Sequence, residues 1–154
     1  MPSTELQTRA KSSKGAKEKK PDPFAEELVT RKLMRNGILS HAIVINASNF
    51  NVRANQPITF RPSRSTRKAL AKLIQGDTMA LNPDGIDLGI GKVYMPGKVI
   101  ENRELFATDG HCGGFTAFLV KDILVLGVFN HNVETACRLI TEVANFVRII
   151  KSRD

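Results

Sequence analysis

The sequence predicts an α+β domain with a central antiparallel β-sheet flanked by helices on both faces. Helical periodicity appears near both ends of the chain, a series of β-rich segments lies between them, and one such segment, 123–129, does not alternate. Successive strands joined by short breaks pair antiparallel, and a strand without alternation is covered on both sides. The terminal helices and the covered strand therefore place helices on both faces of one sheet.

The composition favours one folded domain in the cytoplasm. The 154 residues carry 23 Lys and Arg against 15 Asp and Glu, a net charge of +8, and 42% are hydrophobic. This length suits one domain with a packed core. We expect no membrane span, since no apolar run approaches ~20 residues, and no secretory signal. Two cysteines are too few for a disulfide framework.

Residues 1–23 are expected to form a flexible basic extension, with the folded domain over 24–154. The extension has six basic and three acidic residues, a single Leu, and no Val, Ile or aromatic residue. It cannot bury enough apolar surface to offset the entropy of ordering.

The folded domain begins with a helix over 24–35, which Asn36-Gly37 ends. Strands over 38–45 and 50–54 follow around a hairpin turn, and Pro57 ends the second.

A second helix opens at Arg61-Pro62-Ser63 and closes at Gly76, with apolar residues on one face. The basic residues Arg64, Arg67, Lys68 and Lys72 are predicted mainly on the other face, and Arg61 precedes them at the opening of the helix.

Five more strands are predicted between breaks that contain Gly or Pro, including Pro96-Gly97. They cover 78–81, 86–95, 98–108, 115–121 and 123–130. A final helix then carries an apolar stripe from Val133 to Ile150, and Asn132 can cap it.

Tests for catalytic chemistry fail. Gly89-Ile90-Gly91-Lys92 resembles a phosphate loop, but Ile86 replaces its first Gly and Val93 stands where Ser or Thr would bind magnesium. The three histidines lack zinc-ligand spacing. We therefore expect no enzymatic activity, metal or cofactor.

The basic excess fits nucleic acid, anionic lipid or an acidic protein surface, or a merely solvated helix face. Single-strand binders interleave basic residues with stacking aromatics. The nine aromatic residues here lie mostly inside apolar runs, so we expect no nucleic acid partner.

Six short strings, in order, give the chain from about 24 to 150 a resemblance to the profilins, which bind monomeric actin. Phe60-Arg61-Pro62-Ser63, for example, is similar to the family's Phe-Lys-Pro-Glu at the start of a helix. The other strings are 40–46, 88–95, 113–116, 125–130 and the helix around Cys137. The resemblance implies a profilin-like fold and a cytoplasmic, cytoskeleton-associated monomer that regulates actin polymerisation.

The resemblance also implies an actin-binding face, in which basic residues surround an apolar centre. Mapped onto this sequence, that face contains Arg61, Arg64, Lys68, Lys72, Lys92, Tyr94, Lys98, His111, Lys121, Asn130, His131 and Glu134. Anionic phosphoinositide lipids are a further expected partner of the basic residues.

The family's groove for proline-rich peptides is the main departure, because this chain has no Trp. Its aromatic positions fall at Phe24, Phe50 and Phe146, although strict alignment places Arg53 rather than Phe50 at the hairpin position. We expect weak binding of proline-rich peptides, modulated by the extension. These departures indicate a divergent member, and an archaeal source would fit them.

A scaffold of the roadblock or longin type, which serves small GTPases, is the alternative. Such folds also wrap a sheet with helices and often dimerise.

Overall fold

The structure, a computed structural model, describes residues 22–77, 84–100 and 103–152. The helices are α1 (Pro23–Glu27), α2 (Arg64–Ile74) and α3 (Val133–Ser152). The strands are β1 (His41–Asn46), β2 (Val52–Gln56), β3 (Ile86–Asp87), β4 (Val93–Ile100), β5 (Glu104–Thr108), β6 (Gly114–Val120) and β7 (Ile123–Phe129). Within the described ranges they form one sheet in the order β2-β1-β7-β6-β5-β4-β3, with antiparallel neighbours.

Strand β7 lies inside the sheet, between β1 and β6, and is buried along its whole length. Because side chains alternate along a strand, Val125 joins a core with the terminal helices, whereas Leu126 joins a second core with α2. The predicted α+β class, with helices on both faces of an antiparallel sheet, is confirmed.

The first helix is shorter as an α-helix than predicted. After α1, the chain continues as a π-helix over Leu28–Leu33, closed by a bond of 2.9 Å from the Met34 N–H to the Val29 carbonyl. The wider π turn brings residues five apart onto one side, which keeps Leu28, Val29 and Leu33 buried. Asn36 and Gly37 then adopt left-handed φ values of 70° and 66°, and the predicted stop is confirmed.

The start of α1 includes residues that the sequence assigned to the extension. Asp22 caps the helix, since its Oδ1 accepts the Ala25 N–H at 3.1 Å. Its Oδ2 accepts a bond of 2.6 Å from Arg53 Nε in β2. Asp22 and Pro23 are therefore part of the folded structure.

Three features of the predicted strands are wrong. The segment 86–95 is divided between β3 and β4 by a turn in which Gly89 and Gly91 have positive φ. Pro96-Gly97 does not break the chain: it lies inside β4, where the register shifts between Pro96 and Lys98, because a bulge tolerates the missing N–H of proline. The segment 98–108 is not one strand, since β4 ends at Ile100 and β5 begins at Glu104. The strand expected over 78–81 lies outside the described residues.

The last helix, Val133–Ser152, lies where the periodicity predicts it. It begins directly after Asn132, whose carbonyl accepts the Ala136 N–H at 2.9 Å. Its predicted stripe is buried from Ala136 through Ile140 to Val147, whereas Val133, the first residue of that stripe, is 42% exposed. No helix in the described ranges is long and apolar enough to span a bilayer.

Helix α2 begins after Ser63, as predicted, and Ser63 caps it, since its Oγ accepts the Thr66 N–H at 3.2 Å. Arg67, however, is not on the solvated face but is only 7% exposed. Its Nε donates to the Phe50 carbonyl and its Nη1 to the Pro62 carbonyl, both at 2.6 Å. Arg67 thus ties the β1–β2 hairpin to the start of α2.

We predict that Arg67→Met lowers the free energy of unfolding by about 2 kcal/mol, because buried carbonyls lose their charged donor. Lys68→Met is the matched control: it removes the same charge from the next, exposed position and should change stability by no more than about 0.5 kcal/mol. Urea denaturation of both variants measures the difference. Equal midpoints would show that the Arg67 bonds contribute nothing to stability.

Candidate protein-binding surfaces

Strands β4 and β5 present an apolar surface that the terminal helices leave open. Helix α3 packs mainly on β6 and β7, so β5 and β4, which follow in the sheet, extend beyond the area that the helix covers. Val93 and Met95 are 48% and 47% exposed, and Phe106 is half-buried on the neighbouring strand. With Val133 at the start of α3, which is also exposed, they form what we call the open sheet surface.

A cavity of about 630 Å³ adjoins this surface, between β5, loop 109–113 and the start of α3. Its lining combines apolar and polar groups, including Phe106, Thr108, His111, Val133 and Glu134. An apolar floor with polar groups at its margin is the composition of a protein interface.

Asp109 organises the loop beside the cavity. Its Oδ1 accepts the His111 N–H at 2.7 Å and the Gly113 N–H at 3.2 Å, and its Oδ2 accepts Lys92 Nζ at 3.1 Å. Desolvation opposes ionisation of this carboxyl, but these three bonds prevail and hold the pKa of Asp109 below its ordinary value. Lys92 also reaches Asn130 Oδ1 at 3.4 Å.

Most residues of the predicted actin-binding face are exposed. Those on and before α2 are Arg61, Arg64, Lys68 and Lys72, and those near the cavity are Lys92, His111, Asn130, His131 and Glu134. The α2 group lies across the sheet from α3, but Thr66 Oγ1 bonds the Asp87 carbonyl at 3.4 Å and Asp87 pairs with Val93. Helix α2 and the open sheet surface therefore meet at the β3 edge.

Three residues of that prediction stand apart. Tyr94 is only 1% exposed and packs edge-to-face on Phe115, with centroids 5.4 Å apart, so it belongs to the core. Burial, with the charge of Asp109, raises the pKa of Tyr94. Lys121 lies in the β6–β7 turn, at the opposite end of the seven-residue strand β7 from Asn130, which is a distance of roughly 20 Å. Its Nζ donates to the Lys151 carbonyl at 3.1 Å. The side chain of Lys98 lies outside the described part of the chain.

A second surface runs between the terminal helices and contains Phe24 and Phe146. With Leu28 and Ile150 these rings line a cavity of about 140 Å³, which we call the aromatic groove. Cationic side chains lie against both rings: Lys32 Nζ is 4.4 Å from the Phe146 centroid, and Lys151 Nζ is 5.7 Å from that of Phe24.

Phe50 is not in the aromatic groove. It packs on the α2 core, across the sheet, with the Arg64 guanidinium 5.7 Å from its centroid. Arg53 instead lines a cavity of about 210 Å³ together with Phe24 and Lys151. The strict alignment, which placed Arg53 at the hairpin position, agrees with this geometry.

Sequence reasoning missed Asp109 and the exposed pair Val93 and Met95. The signal for Asp109 was present, because Asp before Gly is typical of a side chain that bonds the backbone two residues on. The exposure of Val93 and Met95 had no local signal in the sequence, because it depends on which strands of the sheet α3 covers. Among the described residues, no three His, Cys, Asp or Glu side chains gather as metal ligands would.

Comparison with known proteins identifies the fold and the family. The family model for profilin matches residues 25–154. The chain belongs to the profilin family. The predicted resemblance is confirmed, and membership argues against the scaffold for small GTPases. No curated protein sequence matches the chain significantly.

Solved profilin structures share the fold at low sequence identity. Acanthamoeba castellanii profilin IB is 19% identical with a TM-score of 0.70, over 80% of this chain and 96% of that one. Schizosaccharomyces pombe profilin is 18% identical with a TM-score of 0.69, over 82% and 98%. Mouse profilin IIa, solved in complex with a double repeat from the FH1 domain of mDia1, is 11% identical with a TM-score of 0.53, over 77% and 93%. This profilin is thus a divergent member of its family.

Proposed function

We propose that this profilin, as a monomer, binds monomeric actin and so regulates actin polymerisation. The observation that carries the proposal is the open sheet surface: a member of the profilin family exposes Val93 and Met95 beside a cavity with polar margins. The free energy falls when a partner covers such apolar side chains and removes them from water. His111, Asn130, His131 and Glu134 are exposed near this surface and would supply its polar contacts.

The basic residues of α2 would act mainly on the rate of association. Clustered charges at the margin of an interface steer a partner of opposite charge and add little to final affinity. Arg64, Lys68 and Lys72 are exposed along one helix, which favours an acidic actin surface. The mechanism needs no catalytic group in the profilin, because binding alone shifts the conformational populations of actin.

We predict that Arg64→Glu with Lys68→Glu weakens actin binding mainly through a slower association rate. The loss should be greatest at low salt, because salt screens exposed charges. The control, Arg31→Glu with Arg35→Glu, makes the same change in net charge on exposed residues near the terminal helices. Stopped-flow measurements with monomeric actin at several salt concentrations compare the two. An unchanged affinity of the α2 variant at low salt would place the actin-binding face elsewhere.

We further propose that the basic residues bind phosphoinositide headgroups. Each Lys or Arg near an anionic membrane contributes about 1 kcal/mol to the free energy of binding. The N-terminal extension adds the lysines between Lys11 and Lys20 to the basic residues of α2. We predict binding to vesicles that contain a phosphoinositide, and loss of binding in the α2 charge-reversal variant. Neutral vesicles are the control in co-sedimentation at low ionic strength. No binding to the anionic vesicles would exclude the proposal.

We also propose that the aromatic groove binds proline-rich peptides weakly and that the extension regulates this binding. Proline-rich ligands dock as preformed helices against aromatic side chains. Here the groove offers Phe24 and Phe146, and cations occupy positions over both rings. The solved complex of mouse profilin IIa with an FH1 repeat supports a peptide ligand. The extension joins the chain beside Phe24, which gives it a high effective concentration there.

We predict that removing the extension strengthens the binding of a proline-rich peptide. The truncation should delete residues 1–21 and keep Asp22, because Asp22 caps α1 and bonds Arg53. A matched full-length control with Lys11, Lys14, Lys17, Lys19 and Lys20 changed to Gln tests whether charge is responsible. Chemical shifts of the terminal helices during titration report the affinity. Equal affinities for full-length and truncated chains would exclude regulation, and no binding by either would exclude the groove.

A further inference from the structure

Beneath the His111–Cys112 loop, a buried carboxylate joins segments that are distant in sequence. The Asp109 side chain is 4% exposed and has bonds to His111, Gly113 and Lys92. Lys92 precedes β4 and also bonds Asn130, which follows β7. One ion pair therefore connects the start of β4, the β5–β6 loop and the end of β7.

The loop is fixed at its other end by close packing. A Cβ atom on Gly113 would lie 2.6 Å from Asp109 Oδ2 and 2.8 Å from the Phe129 carbonyl oxygen. The Asp109 N–H also donates to the Gly113 carbonyl at 3.0 Å, which closes the loop on itself. The Asp109 carboxylate and the end of β7 thus hold the Gly113 backbone between them, while His111 and Cys112 face the cavity.

We propose that Lys92 and Asp109 are positioning residues, which hold loop 109–113 in the conformation that the partner-binding surface requires. Lys92 then acts through Asp109 and not as a charge offered to the partner. The inference rests on the proposed function for the identity of the partner, actin. Without the Lys92 ammonium, the buried carboxylate loses its only cationic donor among the residues that the structure describes. Asp109 then favours conformations open to water, and binding must restore the order of the loop.

The test compares Lys92→Met, Asp109→Asn and the double variant with Lys68→Met as the control. Lys68 is an exposed lysine on α2, so its loss removes one charge without touching the loop. In the free protein, amide exchange and backbone order parameters should show a looser loop at His111 and Gly113 in both single variants. The control should match the parent protein.

Actin binding separates positioning from direct contact. Each single variant should bind monomeric actin about tenfold more weakly, and the double variant should lose little more, because both changes break the same pair. The salt dependence of the association rate should stay that of the parent in Lys92→Met but decrease in Lys68→Met. Lys92→Arg, which keeps a cationic donor, should restore loop order and affinity.

Acid provides a second, independent readout. The pKa of Asp109 is lowered in the folded protein. The carboxylate therefore supports the loop fully at every pH above the unfolded-state pKa of Asp, about 3.9. Its support is lost as the pH falls through the lower, folded value. The His111 amide shift should follow this titration in the parent protein and not in Asp109→Asn.

Two results would overturn the inference: equal loop order in the parent, Lys92→Met and Asp109→Asn, or additive losses of affinity with a reduced salt dependence in Lys92→Met. A parent protein that fails to bind monomeric actin would instead overturn the proposed function. In that case amide exchange in the free protein still decides whether the pair positions the loop.

Discussion

The burial of β7 on both faces is the constraint on which the rest of the structure depends. A strand with no solvated side needs a packed layer on each of its faces. Burial of apolar surface under these layers stabilises the fold by about 25 cal/mol per Å². Gly127 illustrates how close one layer comes, because a Cβ there would lie 2.7 Å from Leu39 Cδ1 and 2.9 Å from Ile140 Cδ1. With the layers over β7 fixed, the outer strands, the seam between the terminal helices and the exposed face of α2 remain open to partners.

The net charge of +8 divides into cations that build the fold and cations that face solvent. Arg67 and Arg53 bond backbone or carboxylate groups inside the structure, and Lys92 completes the site of a buried carboxylate. Lys68 and Lys72 remain exposed on α2. The exposed cations can steer a partner at long range, whereas Arg53 and Lys92 contribute little, because the carboxylates of Asp22 and Asp109 offset their charge at a distance.

The sequence predicted the class, the helices α2 and α3, and β7, because those features are recorded in local periodicity. It could not assign Tyr94, since alternation along β4 separates two faces without saying which one a helix covers. Tyr94 faces the α2 core, whereas Val93 and Met95 face the side that α3 leaves open. The assignment of Phe50 to the proline-rich peptide groove was wrong for the same reason, because Phe50 packs on the α2 core and that contact depends on a helix distant in sequence. The bulge at Pro96-Gly97 depended on pairing with β5, which a local turn signal does not contain.

The two candidate surfaces lie at opposite ends of one rigid element. The start of α3 contributes Val133 and Glu134 to the cavity beside the open sheet surface, and its end contributes Phe146 and Ile150 to the aromatic groove. At about 1.5 Å per residue, Val133 and Phe146 of this helix are roughly 20 Å apart along its axis. Because α3 packs along β6 and β7, neither surface can move relative to the other without disturbing the central strand. The fold therefore presents both surfaces in a fixed geometry.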